Sequence, residues 1–342
     1  MRRTINTTLL AMFASTMLLP AQPAAADLIL TPEGPLTRSP ISENVNAEKG
    51  LDDRLRFGLF AQPCRYACIV RFAGPGPHVD PDIDDVGVLS ISVKVMGVEG
   101  PRLWDGEKQT QDFTAISTPT FVTPDVHCNA RLQYWSRRHL GAFYFLDPRD
   151  PHVLDMLMQA LWSQTQTNPL GATYYSCSPY ALGPRQAMQF SFFPRTRVVR
   201  RIPRLPFRPP DNYLRDNMES TLKETSVEFE MRLQVQTDPF LMPIENNAVI
   251  WPTRLSPRTP VATLHIPKQQ FKIEDQLAVA RELRFNPWHG LADHRPLGAQ
   301  NRARKHMYDE MAAFRQKMNA VAHNEPTDPG RLGGDTRRPA AE

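Results

Sequence analysis

The sequence predicts an α+β protein built on an antiparallel sheet or barrel with a few surrounding helices. Three observations carry this. Runs with period-two alternation recur along the chain, among them VLSISVKV at 88–95 and VEFEMRLQVQ at 227–236. Helical periodicity is confined to a few segments and never falls into a strand–helix–strand rhythm. The 33 prolines among 342 residues, about twice average usage, favour short elements joined by stiff connections. With 41% hydrophobic and 22% charged residues the chain can bury a sizeable core, and one main domain is the economical division.

Residues 1–26 read as a secretory signal peptide. Arg2 and Arg3 begin it, LLAMFASTMLL at 9–19 is apolar but too short to span a bilayer, and Ala24-Ala25-Ala26 supplies a small-residue cleavage site before Asp27. The expected location is periplasmic or secreted. Cleavage lowers the formal charge from +4 to +2, which is not a nucleic-acid-binding balance. No later run is apolar enough for a membrane span. Export permits disulfides, but four cysteines are too few for a disulfide scaffold. Cys64 and Cys68, four apart on one strand, are too distant to bridge there; pairing of Cys128 with Cys177 is left open.

Residues 27–50 are polar and aperiodic and read as an extended N-terminal arm. From 51 to 125 the runs RLRFGLF, ACIVRF, VGVLSISVKVMGV and DFTAI read as strands. Residues 152–166 place Val153, Met156, Leu157, Ala160 and Leu161 at helical spacing. Strands return over 171–193, then an arginine- and proline-rich stretch at 195–210 reads as a solvated linker. Helices are expected around 211–223, over 274–284 and over 297–321, with strands at 227–236 and 261–266 between them. The tail 322–342, rich in proline, glycine and charge, reads as disordered, so the folded domain is 51–321.

Chemistry concentrates in FNPWHGLADHRPLGAQNRARKHMYDEMAAFR at 285–315. On the last helix Arg304, Tyr308 and Arg315 are four and seven residues apart and share one face. A phenol titrates near pH 10 when free, and a close guanidinium favours its anion. A phenolate is a hard ligand that suits ferric iron.

The chain resembles the small catalase-related haem proteins of the catalase superfamily. The marks are GLFAQPCRYACIVRF, GVEGPRLWDGEKQTQDF, NPLGATYYSCSPYALG, FEMRLQVQTDPFLMPIENNAVIWP and, most specifically, FNPWHGLADHRPLGAQNRARK. The resemblance covers roughly 51–320. It implies a catalase-like antiparallel β-barrel core with surrounding helices and a buried haem b (iron). Tyr308 would be the metal ligand, Arg304 would pair with its phenolate, Arg315 would lie close to the haem, and Arg71 would meet a propionate. A small peroxide would be the substrate partner, and a homo-oligomer stays open.

The same resemblance exposes a departure. The family's distal histidine lies upstream of the segment matching LRFGLFAQP, yet no histidine precedes His78. The family's distal serine is Ala73 here, and its distal asparagine is Ser117. Ser117 is therefore the candidate catalytic proton carrier, alone or through water. His78 and His127 read as surface residues. His289 and His294 read as braces for the tyrosine helix, with a second metal site as the alternative. The expected function is a haem-dependent oxidoreductase of peroxidase or catalase type. The alternatives are a non-catalytic haem-binding or sensing protein on the same scaffold, and a haem-free module.

Overall fold

A computed structural model describes residues 22–30, 51–74, 81–84, 87–136, 138, 140–198, 201–204, 207–271 and 282–326. Nine strands form one antiparallel sheet in the order β5-β4-β3-β2-β1-β9-β8-β7-β6. They are β1 Gln22–Leu30, β2 Cys64–Ala73, β3 Ser90–Met96, β4 Thr110–Ile116, β5 Tyr174–Tyr175, β6 Tyr180–Leu182, β7 Gln186–Pro194, β8 Val227–Val235 and β9 Thr259–Ile266. Strand β5 also bonds to β7, through Tyr174↔Phe192, so the sheet curls until its two sides meet. Closure of this kind removes exposed edges. The helices described are α1 Val126–Ser136, α2 Ala142–Phe145, α3 Val153–Trp162, α4 Tyr213–Glu224 and α5 Gly298–Met318. The α+β, catalase-like barrel expected from the sequence is the observed architecture. None of the helices described is long and apolar enough to cross a membrane.

Alternation along the strands sets two environments. Val70 and Phe72 of β2, Ile91, Val93 and Val95 of β3 and Phe113 and Ala115 of β4 point into the barrel, where Phe190, Phe229 and Leu264 complete the core. Their neighbours Ile69, Arg71, Ser92, Lys94 and Asp112 lie on the opposite face. That face is covered too: every residue of β3 and β4 is buried. The alternation in VLSISVKV therefore marks two kinds of buried surface rather than one buried and one wet face.

Strand β1 crosses the expected cleavage point. Residues Gln22–Ala26 pair with β2 alone, whereas Asp27–Leu30 pair with both β2 and β9. Cleavage after Ala26 would leave the four residues that bridge the two strands. Residues 31–50, most of the expected arm, lie outside the described residues, as do His78, most of the expected helix at 274–284 and the tail beyond 326.

Two local readings change, at RLRFGLF and at the tail, and helix α1 fills a stretch to which the sequence assigned no element. RLRFGLF forms two 3-10 turns, Asp53–Leu55 and Gly58–Phe60, not a strand. The Asp52 carboxylate accepts the Arg54 N–H, and Gly58 has a φ of +53°, which breaks the extended chain. His127 and Cys128 open a helix, α1, started by the Asp125 carboxylate, which accepts both their N–H groups. The tail expected from 322 is docked as far as 326. The Glu325 carboxylate accepts the N–H groups of Lys108 and Gln109, and His323 Nε2 lies 3.5 Å from Glu107. Cys64, Cys128 and Cys177 carry free thiols.

Candidate functional site

Helix α5 is rich in good helix formers (Ala, Gln, Arg, Lys, Met) and carries Arg315 and Lys317 in its last turn, where cations meet the negative end of the helix dipole. Its first residue, Gly298, has a φ of +84°, and a Cβ there would stand 2.7 Å from the Ile244 carbonyl oxygen. Only glycine lets the chain enter the helix at this angle. The inward stripe is Asn301, Arg304 and Tyr308, with Ala312 and Arg315 continuing it. Tyr308 is 8% exposed.

The stripe faces the outer side of β2 and β3. Register puts Arg71, Ser92 and Thr114 in one row across three strands. Arg71, Ser92, Phe285, Tyr308, Met311, Ala312 and Arg315 line one cavity of about 30 Å³. Three of the four expected cofactor-binding residues, Arg71, Tyr308 and Arg315, thus meet at one place, although Arg71 stands far from the other two in sequence. The fourth, Arg304, is buried one turn up the helix. Its guanidinium donates to Asn301 Oδ1 (3.2 Å) and lies 4.9 Å from the Phe121 ring centre and 6.0 Å from that of Tyr308.

The cavity is cationic. Burial and the nearby Arg315 charge lower Arg71 to about 10, and the Tyr308 phenol opposes them. Burial and Arg284 lower Arg315, which donates to the Leu283 carbonyl. No carboxylate is among the lining residues. Arg71 and Arg315 line the same cavity, and guanidiniums are donors of the kind that bind anionic groups. Thr114, opposite Ser92 in the register, is buried and faces the buried Tyr180 hydroxyl.

Ser117 is placed differently. It lies just past β4, its Oγ accepts the Leu89 N–H (2.8 Å), and its own N–H donates to the Leu89 carbonyl (2.8 Å). It is not among the residues lining the cavity at Tyr308. Ala73 ends β2, two residues after Arg71.

Of the two histidines expected to brace the tyrosine helix, His294 instead holds the Gly58–Phe60 turn, and His289 acts on the helix through a buried ionic cluster. His294 Nε2 accepts the Leu59 N–H (3.0 Å), and burial holds its ring down at about 4, so it stays neutral as an acceptor. His289 joins a buried ionic cluster. Lys94 Nζ contacts the Glu107 carboxylate and Asp112 Oδ1 (2.8 Å), and His289 Nδ1 lies 3.0 Å from Asp112 Oδ2 and 3.3 Å from Glu107 Oε2. Glu107, Asp112 and His289 are close enough to hold a metal ion, but the Lys94 ammonium already stands among them as the cation. The Asn286 N–H donates to Asp112 (2.8 Å), and Asn286 Nδ2 donates to the Lys305 carbonyl of α5 (3.0 Å). The Trp288 indole donates to the Asn301 carbonyl (2.7 Å). The cluster thus ties the barrel to the helix that carries Tyr308. Sequence reading singled out His289 but missed Lys94, Glu107 and Asp112; a lysine at an alternating strand position looks like a solvent-facing one.

No family model and no curated protein matches the sequence. Solved catalases do match the structure. Catalase A from Saccharomyces cerevisiae superposes with a TM-score of 0.63 at 13% identity, over 92% of this chain and 63% of that one. A fungal catalase gives 0.61 at 13% identity, over 86% and 58%. The chain has a catalase-like fold. A bacterial catalase gives 0.54 at 13% identity, over 94% of this chain and 62% of its own. This catalase-like chain spans about three-fifths of the length of those three, and at 13% identity the likeness establishes the fold.

Proposed function

We propose that this chain is an exported, catalase-related haem b protein, a peroxide-linked oxidoreductase whose ferric iron is ligated by Tyr308. The observation that carries the reading is the cavity at Tyr308, onto which Arg71 from β2 and Arg315 from α5 converge. That donor set fits haem: an oxygen ligand for iron and guanidiniums for the propionates. The cavity is well below the ~300 Å³ of a small-molecule pocket, so binding a macrocycle requires α5 and the face of β2–β3 to part.

Haem bound there would supply a ferric centre at which peroxide O–O bonds can be broken. The residues of this chain have separate tasks. Tyr308, presented from a helix anchored by Asn286 and Trp288, provides the phenolate. Arg304, buried one turn up the helix with its guanidinium 6.0 Å from the Tyr308 ring centre, is the cation nearest that ring along α5. Arg71 and Arg315 hold the acidic edge of the ligand. Ser117 Oγ accepts the Leu89 N–H through a lone pair, so its O–H is not used in that bond, and in this reading it is the proton carrier, directly or through water. General acid–base help from a well-placed group is worth about 10²–10⁴-fold. With Ala73 and Ser117 in place of the family's distal serine and asparagine, and no upstream histidine, turnover is expected to be slow.

The test is to load the purified protein with haemin and measure bound haem, oxygen release from hydrogen peroxide and oxidation of a peroxidase dye. The expected result is one haem per chain, a raised melting temperature and turnover above that of free haemin. Haem binding without such turnover would remove the enzyme reading in favour of non-catalytic haem binding. The engaged Ser117 and the methyl side chain of Ala73 are the observations that favour that second reading. No haem binding at all would sink both.

Export rests on the leader-like features of residues 1–26. Intact mass of the protein recovered from the periplasm or medium should correspond to a chain beginning at Asp27. A mass retaining residues 1–26 would refute the processing.

A further inference from the structure

Helix α3 is inside out. All its exposed residues, Val153, Leu154, Leu157, Ala160 and Leu161, are apolar, whereas its polar Gln159 is buried and Asp155 is turned inward. Asp155 accepts the Tyr144 hydroxyl (2.9 Å) and lies 3.1 Å from His152 Nδ1, so the inward face is held by hydrogen bonds. The outward face carries Leu154, Leu157 and Leu161 at steps of three and four, the spacing of a helix–helix seam. Leu154 is 75% exposed and Leu161 61%. The preceding elements extend the surface with Tyr134, Leu140, Phe143 and Leu146, all exposed.

We propose that this face of α1–α3 is a homodimer interface, covered by the same face of a second copy of the chain. Together these side chains expose an area on the order of the ~800 Å² that one partner contributes to a standard interface. An isologous pairing sets the patch against itself about a two-fold axis and asks of it only self-complementarity. The outward face of α3 contains no charge, so two copies meet without like charges opposed. Residues 125–162 hold four acids (Asp125, Asp147, Asp150, Asp155) and four bases (Arg131, Arg137, Arg138, Arg149), a balance suited to a rim that pairs with itself. An anionic lipid surface would instead call for an excess of cations. Of the longer segments outside the described residues of the mature chain, 31–50 offers Leu36, Ile41 and Val45 as large apolar side chains, 272–281 Ile273, Leu277 and Val279, and 327–342 Leu332, each fewer than the eight exposed on this face.

Sedimentation of the mature protein over a hundredfold concentration range decides the matter. The wild type should sediment as a dimer. The double variant Leu154→Glu/Leu157→Glu should be monomeric with an unchanged circular-dichroism spectrum, its dimer affinity lowered at least about a hundredfold. Leu154→Gln/Leu161→Gln supplies a milder pair should the first not fold. A wild type that is monomeric throughout would overturn the proposal, and so would variants that fold and remain dimeric. A monomeric wild type that floats with phosphatidylcholine–phosphatidylglycerol vesicles would assign the face to lipid instead.

Discussion

Tyr308→Phe, loaded with haemin beside the wild type, should lose bound haem while keeping its fold. The substitution preserves the ring that packs under α5 and removes only the oxygen. Tyr308 is nearly buried, so packing and solvent exposure barely change. What is lost is the ligand atom. Removing groups that merely orient a metal ligand costs about 10–100-fold in affinity, so losing the ligand should cost about 100-fold or more. The readouts are haem retained after gel filtration and the ferric absorption spectrum. Unchanged retention and an unchanged spectrum would show that Tyr308 does not hold iron. Arg71→Met should act differently. It removes one of two cations that repel each other, so it should weaken haem retention without changing the spectrum of what is bound. The pair of variants separates ligation from charge.

Lys94→Met should be the most destabilising single change outside the cavity. Lys94 is 0% exposed and its ammonium is the cation that faces both Glu107 and Asp112. Burial works against its charge, but the two carboxylates outweigh burial and raise its pKa. Methionine fills much the same volume and leaves two buried acids without the ammonium that lies between them. Breaking a buried ion pair from one side costs about 3–5 kcal/mol, which for a domain of this size corresponds to a melting temperature lower by about 10 °C.

The pH dependence follows from the same contacts. In the wild type Glu107 is pushed down: burial opposes its charge, but Lys94 and His289 prevail. Its contribution is present above the ordinary carboxyl pKa, near 4.3, and is lost as pH falls below it. His289 is pushed up, because its bonds to Asp112 and Glu107 overcome burial. Its contribution is complete below the ordinary imidazole pKa of about 6.5 and is lost as pH rises through the folded value. The cluster therefore contributes most between about pH 5 and 6.5. In Lys94→Met the unpaired carboxylates favour their neutral forms, so the gap to wild type should narrow on acidification. Denaturant titrations at several pH values check this. A variant within about 1 kcal/mol of wild type at every pH would show that the lysine is not a buried counter-ion.

Much of this was legible in the chain itself. Alternation in VLSISVKV and VEFEMRLQVQ determined strands β3 and β8, and the four- and seven-residue spacing of Arg304, Tyr308 and Arg315 determined that they share a helix face. Both follow from local geometry, the period of a strand and the pitch of a helix. The catalase-like architecture was also legible, because motifs spread over 51–320 agreed on one fold. The sequence alone likewise showed what is missing, a histidine ahead of the first barrel strand.

Only the tertiary structure decided which faces meet. Arg71 reaches Tyr308 through the register of β2 against β3, and register is a long-range property that one strand's sequence does not contain. Lys94 looks solvent-facing in a strand whose outer side is in truth buried, because whether a second layer covers a sheet depends on segments far away in the chain. Helix α3 looks like an ordinary amphipathic helix, yet its apolar face is turned out. A helix's periodicity defines its stripe but not the direction in which that stripe points, and the bonds from Asp155 to Tyr144 and His152 set the direction here.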